Sequence, residues 1–128
     1  MVPFYLNKAG AGFPSPATDY IEEDIDLNIH LIKNVPATFV IRVQGKSMTN
    51  IGISDGDLLV VDKSLNPKNF STVIANVHDE LVVKSFVKEE GKKFLTSGSK
   101  KFVDRILINE EEDIFIWGVV TYVIHSVY

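Results

Sequence analysis

Beyond Pro36 the chain is a succession of short segments that are rich in β-branched and aromatic residues. In "ATFVIRV", alternation places Phe39, Ile41 and Val43 on one face of an extended strand. The later segments of this kind are "DLLVVD", "TVIANV", "ELVVKSFVK", "KFLTS", "FVDRILI" and "IFIWGVVTYVIHSVY". The turn signals "SDGD", "NPKN", "HDE" and "EEG" separate several of them. This pattern predicts a mainly β domain of antiparallel or mixed sheets over residues 37–128.

The N-terminal part of the chain has a less clear period. Residues 1–16 are rich in proline, glycine and alanine, a composition that favours an extended, mobile arm. The apolar positions from Asp19 to Lys33 suit a strand through Ile25, Leu27, Ile29 and Leu31, or a helix through Ile21, Ile25, Ile29 and Ile32. The type of this element stays open, and residues 12–36 are interpreted as a segment that connects the arm to the β domain.

The bulk composition narrows the class of protein. With 128 residues, 45% of them apolar and 23% charged, the chain is long enough for one globular domain. Its net charge of −4 argues against a surface built to neutralise phosphates, so strong direct binding of nucleic acid is not expected. The chain has no cysteine, which excludes disulfides, a thiol nucleophile and cysteine-bound zinc. No metal or cofactor is expected.

The most apolar run, residues 114–128, does not predict a membrane span. Polar residues and Gly118 interrupt it, and it is shorter than a span requires. The N-terminal "MVPFYLNKAGAGF" lacks the charged start and long apolar centre of a secretory signal. We therefore expect a cytoplasmic location. Residues 114–128 are interpreted as a core strand, with burial of part of the run in a subunit interface as the alternative.

The stretch "VQGKSMTN" offers a candidate nucleophile, Ser47, just after a glycine and at the end of an apolar run. Its hydroxyl is equally suited to cap a short helix by accepting a backbone N–H. As a nucleophile Ser47 needs a base, and the histidines are poor candidates. His30, His78 and His125 are scattered without the spacing of a triad or a metal site, so structural or surface roles are expected for them.

Lysine is the other candidate base for Ser47. A lysine can take the proton of a serine only after it has lost its own, which requires apolar surroundings. Lys84 shares a strand face with Val82 and Phe86, whose side chains could exclude water from it. Lys46 is adjacent to Ser47, but neighbouring side chains usually point apart. A lysine within a strand is more often solvated than catalytic, so the pattern alone does not assign this role to Lys84.

Several motifs together resemble a known family. "GKSM", "GISDGDLLVVD", "ELVVKSF" and the closing "WGVV" are similar to the Ser/Lys self-cleaving domain that LexA-type repressors and UmuD-type mutagenesis proteins share. The N-terminal "AGFPSPATDYIEEDIDLN" resembles the UmuD branch in particular. The resemblance runs from Gly12 to Tyr128, and this combination of motifs is far more specific than a single Gly-X-Ser.

The resemblance implies roles for individual residues. Ser47 would be the nucleophile and Lys84 the general base, and the backbone N–H groups of Lys46 and Ser47 would form the oxyanion hole. The bond to be cut would be Ala11-Gly12. Residues 1–11 would then be a cleavable arm, shorter than is expected for the branch.

A second Ala-Gly pair, Ala9-Gly10, lies close to the first. It ranks lower as a cleavage site because Phe-Pro-Ser-Pro does not follow it directly.

The resemblance also implies a biological role. The protein would be a homodimeric accessory subunit of an error-prone translesion DNA polymerase in the SOS response to DNA damage. RecA filaments on single-stranded DNA would stimulate its self-cleavage, and the processed form would join a Y-family, UmuC-like catalytic subunit.

Two other classes of protein compete with this interpretation. One is a binding module or LexA-like repressor derivative that has lost cleavage. Joint retention of Ser47, Lys84 and Ala11-Gly12 argues against it. The expectation that no helix-turn-helix domain precedes the arm argues against an intact LexA-type repressor. The other is a peptidase that acts on other proteins, as signal peptidases do, and the lack of a membrane anchor argues against that class.

Overall fold

Alternating and continuous apolar segments form strands throughout the described part of the chain, which in this computed structural model comprises residues 2–5, 21–45, 51–98 and 105–128. In chain order the elements are β1 Val2–Tyr5, β2 Ile21–Ile25, α1 Leu27–Leu31, a 3₁₀ turn Val35–Ala37, β3 Thr38–Arg42, β4 Leu58–Asp62, β5 Thr72–Val77, β6 Glu80–Glu89, β7 Lys92–Thr96, β8 Ile106–Leu107, a 3₁₀ turn Glu110–Glu112 and β9 Ile114–Ile124. The predicted mainly β fold is confirmed. The chain divides into two units, residues 1–33 and residues 34–128.

The first unit is a two-stranded antiparallel sheet followed by a short helix. β1 pairs with β2, with Val2 opposite Ile25, so part of the stretch interpreted as an arm forms a paired strand. The stretch whose apolar positions suit either a strand or a helix contains the strand β2 followed by the helix α1. Asp26 is extended and ends the strand, and its carboxylate caps α1 by accepting the N–H of Asn28 at 3.0 Å.

The second unit is a seven-stranded antiparallel sheet in the order β3-β4-β9-β5-β6-β7-β8. The long strand β9 pairs with β4 on one side and with β5 on the other. β6 is longer than either of its partners, so each of them pairs with only part of it. β5 pairs with residues 80–85 of β6, and β7 pairs with residues 85–89. Among the described residues, the β7-facing edge of residues 80–84 therefore has no partner strand.

Apolar side chains form two buried clusters on opposite faces of β5. Val73 and Ala75 belong to the first cluster and Ile74 to the second, as the pleat of a strand requires. The first also contains Phe86, Leu95, Ile114 and Val119, and the second also contains Ile53, Leu59 and Val61. Burial of both faces explains why "VIA" at residues 73–75 and "LLVV" at residues 58–61 are continuous apolar runs without alternation.

β9 approaches β4 closely at Gly118. A Cβ at this position would lie 2.6 Å from Cγ1 of Val61, so only glycine fits without a shift of the neighbouring chain. The first half of β9 contributes to the core through Ile114 and Val119, whereas residues 121–128 are exposed. No helix in the described ranges is long and apolar enough to cross a membrane.

Candidate active site

The turn before β4, at residues 54–57, is hydrogen-bonded to residues 42–45, which lead to the candidate nucleophile. After β3 ends, the N–H of Val43 donates to the carbonyl of Asp57 at 2.8 Å, and the N–H of Gly56 donates to the carbonyl of Val43 at 2.8 Å. The guanidinium of Arg42 also donates to the carbonyl of Gly56, at 3.1 Å. These bonds continue the antiparallel pairing of β3 with β4 towards Ser47.

Gly45 sets the direction in which the chain leaves this pairing. Its φ of +104° is a value that residues with a side chain rarely adopt, although a Cβ would meet no atom within 4 Å. Backbone conformation, and not lack of space, therefore calls for glycine here. The N–H of Gly45 donates to the carboxylate of Asp55 at 2.8 Å, so the turn is fixed two positions before Ser47.

Asp57 is the buried anchor of the same turn. Its side chain is 2% exposed, and one carboxylate oxygen accepts the N–H of Ser54 at 2.8 Å while the other lies 2.5 Å from Nδ1 of His125. The hydrogen bond from Ser54, followed by the hydrogen bond and the charge of His125, holds the pKa of Asp57 below its ordinary value, although desolvation opposes this. Asp57 thereby ties the turn to the residue that follows β9.

Lys84 lies in the part of β6 that packs against the first buried cluster. Opposite it on β5 is Val73, which is 0% exposed. On its own strand, the neighbours on the same face are Val82, which packs against the cluster, and Phe86, which belongs to it. Lys84 itself is half-buried. Its stem therefore lies among apolar side chains of two strands.

A cleft of about 440 Å³ joins Lys84 to the approach to Ser47, and we name it the Lys84 cleft. Residues 41–44 line it on one side and residues 80–84 of β6 on the other, together with Ile74. The lining residues of β6 are those whose β7-facing edge has no partner strand in the described part of the chain. An extended peptide can hydrogen-bond to such an edge as an added strand.

The remaining predicted site residues lie outside the described residues. They are Lys46 and Ser47, within residues 46–50, and Ala9-Gly10 and Ala11-Gly12, within residues 6–20. The structure thus brings together Lys84 and the last residues before Ser47. The contact between the two side chains, the oxyanion hole and the scissile bond stay predictions.

The histidines have separate surroundings, and one of them supports the turn. His30 lies in α1 and His78 in the turn between β5 and β6, whereas His125 contacts Asp57. The sequence reasoning missed the way in which Asp55 and Asp57 hold the approach to Ser47. The signal was present in "SDGD", because acidic side chains in a tight turn commonly accept backbone N–H groups.

Comparisons with known proteins agree with this fold. A model of the peptidase S24-like family matches residues 3–121. "Protein ImpA" of Salmonella typhimurium is 43% identical over 124 residues, which cover 96% of this chain and 83% of the relative. "Protein MucA" of Escherichia coli is 39% identical over 121 residues, with coverage of 94% and 82%.

A "LexA repressor" of Ectopseudomonas mendocina is 34% identical over 113 residues, which cover 88% of this chain and 55% of the relative. The resemblance drawn from the motifs is thereby confirmed.

Proposed function

Because this chain belongs to the peptidase S24-like family, we propose that it is a self-cleaving serine peptidase that cuts its own Ala11-Gly12 bond. Ser47 is the nucleophile and Lys84 the general base. The observation that carries the proposal is the Lys84 cleft, in which Lys84 and the segment leading to Ser47 line the same space. Among the described residues that line this cleft, the other basic side chain is that of Arg42, and a guanidinium group does not serve as a general base.

The proposed reaction begins with Lys84 in its neutral form. Its Nζ takes the hydroxyl proton of Ser47 while the Ser47 oxygen attacks the carbonyl carbon of Ala11. The backbone N–H groups of Lys46 and Ser47 stabilise the oxyanion. Lys84 then gives the proton to the nitrogen of Gly12 as the peptide bond breaks. Water, deprotonated by Lys84, hydrolyses the resulting ester and releases residues 1–11.

The arm reaches this chemistry as an extended peptide. Small residues at Ala11 and Gly12 allow the backbone to enter a narrow space. The edge of β6 at residues 80–84, which no described strand pairs on its β7-facing side, offers N–H and C=O groups to it. Because the substrate is tethered, a high effective concentration takes the place of substrate affinity.

The turn before β4 prepares the nucleophile in this proposal. The carboxylate of Asp55 fixes the backbone at Gly45, and the backbone carbonyl of Asp57 fixes it at Val43. Both bonds direct the chain into the segment that holds Ser47. A nucleophile and its oxyanion donors work best when their supporting backbone is already in place, because no reorganisation then accompanies the reaction.

We further infer that the processed protein is a homodimeric accessory subunit of an error-prone translesion polymerase in the SOS response, located in the cytoplasm. RecA filaments on single-stranded DNA stimulate the cleavage, and a Y-family, UmuC-like catalytic subunit is the partner of the product. The family membership supports this role, together with identities of 43% and 39% to relatives of which the chain covers 83% and 82%.

Intact-mass measurement of the purified chain at mildly alkaline pH tests the proposal. The expected product lacks residues 1–11, and a product lacking residues 1–9 would instead identify Ala9-Gly10 as the bond. Ser47→Ala is expected to abolish the reaction, whereas the matched control Ser126→Ala, in the exposed C-terminal segment, is expected to retain it.

Two results would overturn different parts of the proposal. An unchanged mass, both alone and with activated RecA filaments, would reject self-cleavage. Cleavage at a rate that RecA filaments do not alter would leave the peptidase intact and reject the inferred regulation.

A further inference from the structure

A second cleft, of about 460 Å³, lies at the other end of β6, and we name it the Lys88 cleft. Three lysines line it: Lys68 from the connection between β4 and β5, Lys88 from β6 and Lys93 from β7. No acidic residue is among the described residues that line it. The chain as a whole carries a net charge of −4, so this cleft is a local exception.

The pairing of β6 with β7 brings two of these charges face to face. Lys88 is directly opposite Lys93, an arrangement that destabilises a sheet, whereas the next pair along the hairpin joins Glu89 to Lys92. Neither Lys88 nor Lys93 has an ion pair with an acidic side chain of the described residues. An anion bound in the cleft would relieve the repulsion.

The residue that follows the cleft-lining Asn69 is aromatic and has an unusual backbone conformation. Phe70 follows Asn69, which lines the cleft, and its φ of +70° is uncommon for a bulky residue. Phe70 is 68% exposed, so core packing does not explain this conformation. The N–H of Phe70 donates to the carbonyl of Phe86 at 2.7 Å, which fixes the backbone. Strain at an exposed aromatic residue points to a function for the ring.

The backbone around the cleft cannot accept a further strand. The N–H of Lys88 donates to Oδ1 of Asn69 at 2.9 Å, and the N–H of Phe86 donates to the carbonyl of Ser71 at 2.8 Å. The loop thus occupies the edge of β6 that an acidic peptide would need for strand addition. Recognition is left to the side chains, namely ammonium groups, amides and an exposed ring.

We propose that the Lys88 cleft is a weak binding site for single-stranded nucleic acid. Phosphates contact Lys68, Lys88 and Lys93, and an unpaired base stacks on Phe70. This combination of cations with an aromatic platform is the one that single strands require. Three phosphate contacts give a logarithmic salt dependence with a slope of about −2, since each contact on a single strand contributes about −0.7.

Fluorescence anisotropy with a labelled oligothymidylate of about 12 nucleotides tests this proposal at low salt. The uncleaved Ser47→Ala chain serves as the parent protein, so that loss of the arm does not complicate the titration. Lys88→Gln with Lys93→Gln is expected to weaken binding at least tenfold. The control pair, Lys33→Gln with Lys92→Gln, removes the same charge outside the cleft and is expected to change binding less than threefold.

Phe70→Ala is expected to weaken binding about fivefold or more, because stacking of one base contributes that much to affinity. Circular dichroism and thermal unfolding show whether each variant is folded. Equal losses in the two lysine pairs, or an unchanged affinity in Phe70→Ala, would overturn the proposal. Equally tight binding of a labelled polyglutamate of the same charge would also overturn it, in favour of a site for anions in general.

Discussion

The two ends of β6 carry lysines with opposite surroundings. Lys84 and Lys88 lie on the same face of one strand with Phe86 between them, yet Lys84 faces the buried Val73 and Lys88 faces Lys93. The side chain of Lys84 is half-buried among apolar groups. The side chain of Lys88 is exposed and lies opposite another lysine. The two lysines share a residue type and a strand face, so the difference in their surroundings comes from their cross-strand partners.

The contrast is useful because the proposed functions require opposite charge states. A general base acts as the neutral amine, and a phosphate contact acts as the cation. Strand β6 provides both environments, because its first half pairs with β5 and its second half pairs with β7. Substitutions that alter one environment without the other are therefore the sharpest tests.

Lys84→Ala should give the largest effect. We expect the rate of self-cleavage to fall by roughly 10²- to 10⁴-fold, because the reaction loses its general base. Binding of the oligothymidylate should be unchanged. Time courses of intact mass measure the rate, and Lys92→Ala is the control for loss of a strand lysine outside both clefts. An equal loss of rate in the control would contradict the assignment of the base.

Val73→Thr places a hydroxyl directly opposite Lys84 on the neighbouring strand. The new hydroxyl can hydrogen-bond to Nζ of Lys84 and compete with Ser47 for it, so the rate of self-cleavage should fall several-fold. Val119→Thr is the control, because Val119 lies opposite Val73 on the next strand and is also buried. Both variants should lose about 1–3 kcal/mol of stability, and only Val73→Thr should slow self-cleavage.

Asp57→Asn tests the support of the Lys84 cleft through its pH dependence. The pKa of Asp57 is lowered in the folded protein from an ordinary value of 3.8, so its stabilisation is present above that value and is lost as the pH falls through the lowered pKa. The stability difference between wild type and variant should therefore be full at neutral pH and shrink in strong acid. Urea unfolding across this range measures it.

His125→Gln is the companion variant for Asp57→Asn. It removes the second contributor to the lowered pKa but leaves the hydrogen bond from Ser54, so its loss should be partial. A stability difference that does not change with pH in Asp57→Asn would refute the role given to this carboxylate.

Lys93→Glu should produce the smallest effect, with the opposite sign. It places a carboxylate opposite Lys88, and we expect a gain of about 0.2–1 kcal/mol in the free energy of unfolding. Lys92→Glu is the matched control, because it places a carboxylate opposite Glu89 and should lower stability by a similar amount. Stability changes of the same sign in both variants would show that the cross-strand partner does not determine how these charges affect stability.

Local pattern was enough to predict most of the strands and the apolar neighbours of Lys84. β-Branched composition and alternation carry that information within a few residues. The same reasoning could not choose between strand and helix from Asp19 to Lys33, because a single residue, Asp26, separates a strand from a helix within this stretch. Asp26 ends β2 and caps α1, so neither of the two periods continues through the whole stretch.

Contacts between distant parts of the chain were beyond the sequence pattern. Asp57 and His125 meet only because β4 and β9 are neighbours in the sheet. The opposition of Lys88 to Lys93 likewise depends on where the β6–β7 hairpin turns, at Glu90 and Gly91. A shift of register by one residue would separate the two charges.

The close approach of β9 to β4 places a constraint on how this sequence can evolve. Alanine at position 118 is compatible with the sheet only after Val61 has become smaller, because the added methyl group would overlap Cγ1 of Val61. The order of mutations then matters: Val61→Ala first opens a small void, and Gly118→Ala afterwards fills it. We expect the two positions to covary among descendants of this chain, and the double variant to be more stable than Gly118→Ala alone.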